Sequence, residues 1–365
     1  REAPRPVLVA RMLADAFLVL FPYKGKGELV TYCEAYSRAL NGFIVSREQN
    51  YQLELRSGIC CVEDSDASDI NSLLDRANMA LKTIKVKGAA QWKFYDHTMR
   101  DKLLREKDLE IRMEKALADG EFLVYIQPKY WVGTRALAGG EALVRWKSPD
   151  QGFLSPGEFI PLFEKNRFIV KLDQFMFTSV CGLLRQWLDA GIEPRPLSVN
   201  VSRMQFHTPD FVERYIRIKS QYAIPDGLLE LEFTESIFFD NVALLSSAVH
   251  ELRRAGIKCS IDDFGAGYSS LNVLKALPVS VLKLDGMFFR TAKDDEQAKI
   301  VIRNIMRMAG ELKMATVAEG VETHEQVAFL ETTGCDIIQG YVFARPMPAA
   351  EFTELLAGEG GHAER

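Results

Sequence analysis

Short apolar strands in the last two-thirds of this chain repeatedly end in a polar or charged side chain. These strand-end residues are Glu141, Asn200, Glu232, Asp262, Asp263, Lys283, Glu319 and Gln339. Helix-like stretches such as 240–254 and 294–312 separate the strands, an alternation typical of a closed barrel of parallel strands. In such barrels chemistry takes place at the carboxyl ends of the strands. The sequence therefore predicts an α/β fold, a TIM-like (β/α)8 barrel with its functional site at the mouth.

The length of 365 residues exceeds that of one barrel of about 250 residues, so we expect a second, smaller domain. We predict an α+β domain over 1–97, beginning with an apolar strand near 7–21, a linker helix over 98–119, the barrel over 120–357 and a tail over 358–365. The charged linker could instead form a coiled-coil seam, but its irregular apolar spacing favours a connecting helix. The predicted barrel strands are 122–127, 136–146, 197–201, 228–233, 258–262, 281–284, 315–318 and 337–339.

The composition, 47% hydrophobic and 26% charged with a net charge of −5, is typical of a globular protein. No clustered basic face indicates duplex nucleic acid as a partner, and no apolar run approaches the roughly 20 residues of a membrane span. Six scattered cysteines without a CxxC pair favour a reducing compartment over a zinc site or a disulfide framework. We therefore expect a cytoplasmic protein, either alone or as the cytoplasmic part of a longer, membrane-anchored sensor.

The strand-end residues have the chemistry of ligands for hard cations. Mg²⁺ and Mn²⁺ prefer carboxylate and amide oxygens. Many carboxylates in one pocket raise one another's pKa values unless cations compensate them. Two consecutive aspartates, Asp262 and Asp263, suit a pair of ions about 4 Å apart, an arrangement used for in-line attack on phosphodiesters. The pattern therefore predicts two divalent cations, Mg²⁺ or Mn²⁺, as cofactors.

Structural explanations compete with this one for single residues. A lone acidic residue at a strand end is more often a helix N-cap or a solvated rim residue. Glu230 and Glu232 share one strand face, so periodicity leaves open which of them is a ligand. Lys283 lies in an apolar strand, where a lysine needs either an acidic partner or a catalytic role. The recurrence at successive strand ends favours a functional site.

The run Glu141-Ala142-Leu143-Val144-Arg145-Trp146 resembles the signature of the EAL domain, the cyclic di-GMP phosphodiesterase domain of bacterial signalling. The resemblance continues in order along 121–355. The further motifs are Tyr125-Ile126-Gln127-Pro128, Ser198-Val199-Asn200-Val201-Ser202, Glu232-Phe233-Thr234-Glu235-Ser236, 262–271, Leu282-Lys283-Leu284-Asp285, 318–323 and Gln339-Gly340-Tyr341.

The resemblance implies a role for each matching residue. Glu141, Asn200, Glu232 and Asp262 match the ligands of one metal, and Asp262, Asp263 and Glu319 match those of the second. Lys283 matches the lysine that orients the attacking water, which Gln339 approaches. Glu235 matches the residue that anchors the loop 263–270 and links metal binding to a homodimer interface. The substrate contacts implied by the match are Gln127, the backbone near Leu143, Arg145 and Asp285, of which Arg145 has a planar guanidinium suited to phosphate.

The first domain resembles the latter part of a GGDEF domain, the diguanylate cyclase module. The supporting residues are 73–81 and Phe94-Tyr95-Asp96. The cyclase signature would fall at Leu13-Ala14-Asp15-Ala16-Phe17, where side chains replace two glycines and Ala16 replaces a metal-binding glutamate. The resemblance thus implies a degenerate, incomplete domain without cyclase activity.

Together these features predict metal-dependent hydrolysis of cyclic di-GMP to linear pGpG. An alternative from another class is a non-catalytic cyclic di-GMP receptor that signals through the GGDEF-like domain and the linker helix. A third interpretation is a barrel hydrolase for a different phosphodiester, because fold alone does not determine function.

Overall fold

The computed structural model describes residues 6, 8–45, 54–62, 69–84, 91–235, 237, 242–265, 278–291 and 295–360. The chain divides into two compact units, Arg1–Leu109 and Glu110–Arg365. The division falls inside helix α3 (His97–Ala118), within the stretch that the sequence predicts to be a connecting helix.

The first unit mixes short strands with helices. Its elements are β1 (Leu8–Leu13), β2 (Ala16–Leu20), α1 (Lys26–Val45), β3 (Ser57–Ile59), α2 (Ile70–Lys82) and β4 (Trp92–Phe94). The single strand predicted near 7–21 is wrong, because β1 and β2 form an antiparallel hairpin. Its turn contains Ala14, which has a positive φ of 44°. This turn could not be recognised within an apolar run of the sequence, since alanine is not a residue that usually marks a turn.

The second unit is a barrel with outer helices. Its strands are β5 (Phe122–Trp131), β6 (Leu137–Ser148), β7 (Gly152–Leu154), β8 (Leu197–Asn200), β9 (Leu229–Thr234), β10 (Lys258–Phe264), β11 (Val281–Leu284), β12 (Ala315–Ala318), β13 (Ile337–Ile338) and β14 (Met347–Pro348). Its helices are α4 (Pro156–Asn166), α5 (Ile169–Asp189), a 3-10 helix (Arg203–His207), α6 (Phe211–Gln221), α7 (Val242–Arg254), α8 (Met287–Thr291), α9 (Glu296–Glu311), α10 (His324–Glu331) and α11 (Ala349–Gly360).

Eight of the described strands close the barrel. Strands β6, β8, β9, β10, β11, β12 and β13 run parallel in that order. Strand β5 closes the ring between β13 and β6, and it is antiparallel to both. The (β/α)8 prediction is therefore confirmed at the level of the fold, but the expectation of a wholly parallel barrel is wrong. Because β5 and β6 are joined by a short hairpin, no helix lies between them and β5 must run the opposite way.

Alternation along β9 shows how the barrel separates its two faces. Leu229, Leu231 and Phe233 pack in the hydrophobic core formed with the helices. Glu230 and Glu232 occupy the intervening positions and are buried, so their side chains point to the barrel interior. The fold thus places carboxylates inside the barrel while the apolar residues of the same strand stabilise its outer layer.

No helix in the described part of the chain combines the length and apolarity that crossing a bilayer requires.

Candidate active site

The carboxyl ends of the parallel strands gather the predicted site residues at one mouth. Glu141 lies in β6, Asn200 ends β8, Glu232 lies in β9, and Asp262 and Asp263 lie in β10. Lys283 lies in β11, while Glu319 and Gln339 directly follow β12 and β13. The antiparallel β5 contributes Gln127, which pairs in register with Glu141.

Lys283 is the centre of the cluster. Its side chain is fully buried, and its Nζ lies close to the oxygens of four carboxylates. The distances are 2.5 Å to Glu232 Oε2, 2.6 Å to Glu319 Oε1, 3.0 Å to Asp262 Oδ1 and 3.7 Å to Glu141 Oε2. Burial by itself would lower the pKa of Lys283, but these four carboxylates outweigh it and raise the pKa well above its usual value. The lysine is therefore protonated at neutral pH and acts as a hydrogen-bond donor with acidic partners on several sides.

A bulge in β10 turns two consecutive aspartates toward the same site. Successive side chains of a regular strand point to opposite faces. Here the register with β11 shifts between Ile261 and Phe264, and Asp263 has a positive φ of 54°. The Asp263 N–H donates a 2.9 Å hydrogen bond to Oδ1 of Asp262. Bulges of this kind change the direction of side chains next to active sites. Here the positive φ strains the backbone of Asp263, which is not a glycine.

Asp262, Asp263 and Glu319 form the carboxylate group best suited to a metal ion. One oxygen of each lies within 4.8 Å of the others. Burial and the neighbouring Asp262 and Asp285 raise the pKa of Asp263 to about 6. Burial also raises the pKa of Glu319 well above its usual value, although Lys283 opposes the shift. The raised pKa values show that ionising these neighbouring carboxylates is unfavourable without a cation. Their oxygens are donors that fit a hard divalent cation.

Amide side chains connect Glu141 to both sides of the mouth. Asn200 Nδ2 donates to Glu141 Oε1 at 2.6 Å, and Gln339 Nε2 donates to Glu141 Oε2 at 2.6 Å. Gln339 Nε2 also lies 3.1 Å from Oε1 of Gln127. Burial, together with the charge of Glu232, raises the pKa of Glu141 despite Lys283. The amide oxygens of Asn200 and Gln339 are thereby turned away from Glu141.

Glu232 is the member of its strand that joins the cluster, which answers the choice between Glu230 and Glu232. It also contacts a residue that the sequence analysis missed. Lys129, buried in β5, donates from Nζ to Glu232 Oε1 at 2.9 Å and to Ser198 Oγ at 2.7 Å. Burial would raise the pKa of Glu232, but Lys129 and Lys283 outweigh it and hold that pKa below its usual range. The alternation Gln127, Pro128, Lys129 was the available signal, since it places Lys129 on the same strand face as Gln127.

The residues expected to contact a substrate lie beside this cluster. Leu143 and Arg145 are half-buried on β6, two and four residues beyond Glu141. The Arg145 guanidinium lies 5.5 Å from the ring centre of Tyr125 and donates to the carbonyl of Val144 at 2.8 Å. Burial lowers the pKa of Arg145. Asp285 follows β11, and its Oδ1 accepts a 2.7 Å hydrogen bond from the Met287 N–H.

Glu235 holds the start of the segment that follows β10. Its Oε2 accepts a 3.1 Å hydrogen bond from the N–H of Gly265. Gly265 has a φ of 92°, and a Cβ there would lie 2.2 Å from the Phe288 ring, so the position requires glycine. The rest of the predicted loop, 266–270, and Ser236 of the motif lie outside the described residues.

The structure is thus a mostly parallel barrel with one antiparallel strand. Carboxylates surround a buried lysine at its mouth, and three of them are suited to binding a cation. The family model described as "EAL domain" matches residues 111–346. The chain therefore belongs to the EAL domain family. Residues 4–91 match a second model, described as "Diguanylate cyclase, GGDEF domain".

The relatives with similar sequences include two signalling proteins of Pseudomonas aeruginosa. The bifunctional diguanylate cyclase/cyclic di-GMP phosphodiesterase MucR is 30% identical over 350 residues, which cover 96% of this chain and 51% of MucR. The cyclic di-GMP phosphodiesterase NbdA is 31% identical over 349 residues, covering 96% of this chain and 44% of NbdA. The chain thus spans about half the length of these relatives.

Among solved structures, the MucR phosphodiesterase in its c-di-GMP complex is 35% identical, with a TM-score of 0.64. That comparison covers 67% of this chain and 99% of the MucR structure. The common part is consistent with the barrel unit rather than the whole chain.

Proposed function

We propose that this protein hydrolyses cyclic di-GMP to linear pGpG with the help of divalent cations. The observation that carries the proposal is the Asp262, Asp263 and Glu319 carboxylate group beside Lys283, in a chain of the EAL domain family. Two relatives carry the name cyclic di-GMP phosphodiesterase, and a similar barrel was solved with c-di-GMP.

Two Mg²⁺ or Mn²⁺ ions are the proposed cofactors. Glu141, Asn200, Glu232 and Asp262 would hold one ion, and Asp262, Asp263 and Glu319 would hold the other. When bound, such ions supply a nucleophilic water at neutral pH and neutralise charge on the phosphate. The hard oxygen donors and the raised pKa values of Asp263 and Glu319 fit this assignment, because a cation favours the ionised carboxylates.

Lys283 is proposed to orient the attacking water. Since its pKa is raised well above the usual value, Lys283 donates hydrogen bonds and does not accept the proton of the water. The water oxygen forms a bond to phosphorus while one P–O3′ bond of the cyclic dinucleotide breaks, and the released 3′ oxygen takes up a proton to give pGpG. Gln339 and Glu319 lie beside Lys283 at the same mouth, with Gln339 held by Glu141 and Gln127.

The proposed substrate contacts are Gln127, the Leu143 backbone, Arg145 and Asp285. The guanidinium of Arg145 can bind a phosphate in a bidentate manner. Its position beside Tyr125 restricts its rotation, which reduces the entropy lost when the phosphate binds. Glu235 is proposed to couple the segment after β10 to a homodimer interface of the barrel domain. The domain limits 1–97, 98–119, 120–357 and 358–365 are likewise proposals.

A receptor without catalysis would need the binding residues but no water-orienting lysine. The contacts of Lys283 with four carboxylates therefore favour hydrolysis over the receptor alternative.

The test is incubation of chelator-stripped protein with cyclic di-GMP, with and without Mg²⁺ or Mn²⁺, followed by chromatography. We expect pGpG to form only with added metal. A matched control is Lys219→Met, which removes another buried lysine, one that contacts Asp226 and the carbonyl of Ala255 away from the mouth. Binding of cyclic di-GMP without any turnover would establish the receptor alternative, and equal turnover of unrelated cyclic dinucleotides would establish a broader hydrolase.

A further inference from the structure

The segment after β8 is held by two acidic side chains from neighbouring helices. Asn200 ends β8, and Ser202 precedes the 3-10 helix. The Ser202 N–H donates a 3.0 Å hydrogen bond to Oδ2 of Asp173 on α5. The Ser202 hydroxyl donates a 2.9 Å hydrogen bond to Oε1 of Glu164 on α4. Both the backbone and the side chain of Ser202 are therefore fixed from the helical layer.

Asp173 also fixes the 3-10 helix. Gln205 is fully buried, and its Nε2 lies 3.2 Å from Asp173 Oδ2 and 3.0 Å from the carbonyl of Val170. The same carboxylate oxygen thus accepts from a backbone N–H and from an amide. Asp173 is itself only 6% exposed, and no lysine or arginine of the described chain forms an ion pair with it within 4 Å.

A buried carboxyl without a cationic partner is unfavourable for folding. Hydrogen bonds from Ser202 and Gln205 compensate part of this cost. The stability of α5 therefore does not by itself explain why an aspartate occupies this buried position. Its hydrogen bonds point instead to the segment that leads away from Asn200.

This segment is held on the opposite side by the barrel. The Val201 N–H donates a 3.0 Å hydrogen bond to the carbonyl of Glu232. Asn200, one residue earlier, donates to Glu141 at 2.6 Å. Asn200 therefore lies between its own contact with Glu141 in the barrel and Ser202, which the acidic side chains of Asp173 and Glu164 hold.

We propose that Asp173, assisted by Glu164, is a positioning residue that fixes Ser202 and thereby places the Asn200 end of β8 at the metal site. The inference rests on the proposed function, in which Asn200 is a metal ligand. Outer residues of this kind orient metal ligands, and their loss typically weakens metal affinity by about 10- to 100-fold.

The experiment compares Mn²⁺ binding to three variants of the metal-free chain by calorimetry, together with kcat and KM for cyclic di-GMP. Asp173→Leu keeps the branched shape and removes the acceptor, and we expect Mn²⁺ affinity to fall about tenfold. Asp173→Asn keeps a carbonyl acceptor and should restore most of this affinity. Cys181→Ala, at a fully buried position on the same helix, should lower thermal stability without changing Mn²⁺ affinity.

A purely structural role for Asp173 predicts a different result. Asp173→Leu would then lower thermal stability as Cys181→Ala does and leave Mn²⁺ affinity unchanged, which would overturn the inference. If Asp173→Leu does not fold, Ser202→Ala carries the test, because it removes the bond to Glu164 while its N–H remains. We expect several-fold weaker Mn²⁺ binding for Ser202→Ala, and unchanged binding would overturn the proposal.

Asn200→Ala separates this inference from the function on which it rests. Weaker Mn²⁺ binding by Asn200→Ala, with unchanged binding by Asp173→Leu, would overturn only the positioning role. Unchanged Mn²⁺ binding by Asn200→Ala would remove Asn200 from the proposed ligand set, and with it both the assignment and the inference.

Discussion

The ammonium of Lys283 lies 2.6 Å from Oε1 of Glu319, on the neighbouring strand end. Glu319 is also one of three carboxylates with oxygens within 4.8 Å of one another. A single residue therefore faces both the proposed metal and the proposed water-orienting lysine. A Glu319 variant is therefore expected to affect both the metal and the lysine, whereas a Lys283 variant leaves every proposed metal ligand in place.

Substitution of proposed metal ligands should abolish hydrolysis and preserve the fold. We expect Glu141→Ala, Asp262→Asn and Glu319→Ala each to lower kcat by more than about a hundredfold, the scale on which key electrostatic groups act. The three side chains lie at the mouth, and none belongs to the hydrophobic core. Steady-state kinetics with circular dichroism checks the prediction. Near-normal turnover by any of the three folded variants would show that its assignment as a ligand is wrong.

Lys283→Ala should slow catalysis strongly while cyclic di-GMP still binds. The ammonium is proposed to orient water, whereas Arg145 and Gln127 are proposed to contact the dinucleotide. Calorimetry with cyclic di-GMP, beside single-turnover kinetics, measures the two effects separately. Loss of cyclic di-GMP binding would instead assign Lys283 to substrate binding or to the structure of the mouth.

Much of this site was predictable because its residues lie at the ends of apolar runs. Strands β11 and β12 match their predicted limits, since short apolar runs bounded by polar residues define buried strands well. The direction of β5 was missed because periodicity contains no information on strand direction, although the short gap between the predicted strands 122–127 and 136–146 leaves no room for the crossover that a parallel pair needs. Lys129 was missed since its partner Glu232 is 103 residues away. The contacts behind the role proposed for Asp173 were also missed, because they depend on how α5 packs against the 3-10 helix.

The first domain should not make cyclic di-GMP from GTP and Mg²⁺. Leu13 and Ala14 lie at the exposed β1–β2 turn, where side chains occupy the space that a nucleotide needs to approach the backbone. Ala16 supplies no carboxylate, and no described residue of this unit belongs to a cluster of three metal-binding side chains. The measurement is the amount of cyclic di-GMP formed when Lys283→Ala protein is incubated with GTP. The Lys283→Ala substitution limits loss of that product by hydrolysis. Formation of cyclic di-GMP would contradict the prediction.

The stability of the protein should depend on the charge of Asp173. Burial raises the pKa of Asp173 from 3.8 to about 7, although the bonds from Ser202 and Gln205 oppose the shift. The folded protein therefore binds this proton more readily than the unfolded chain, so Asp173 favours folding increasingly as the pH falls from about 7 to about 4. The full difference is on the order of 4 kcal/mol.

Asp173→Asn removes this titration. We expect the free energy of unfolding at pH 8 to be higher for Asp173→Asn than for the unmodified protein, with the difference shrinking toward pH 5. Urea unfolding of both metal-free proteins across this range measures the difference, in which titrations common to the two proteins, among them that of Asp263, cancel. A constant difference in the free energy of unfolding between pH 8 and pH 5 would show that Asp173 does not titrate within this pH range.

Hydrolysis should require Mg²⁺ or Mn²⁺, while Ca²⁺ should bind the same carboxylates and inhibit. Mg²⁺ holds near-octahedral geometry with bonds of about 2.0 to 2.1 Å, whereas Ca²⁺ prefers about 2.3 to 2.6 Å and more ligands. The donors here have little freedom to adjust, because Glu232 is fixed by Lys129 and Lys283, and Asp262 by the Asp263 N–H. A larger ion would be bound without the alignment that in-line attack needs. Chelator-stripped protein is titrated with each metal. Hydrolysis at each metal concentration measures turnover, and calorimetry with Ca²⁺ measures occupancy of the site. Full activity with Ca²⁺ alone, or with no added metal, would contradict a mechanism that uses two small ions.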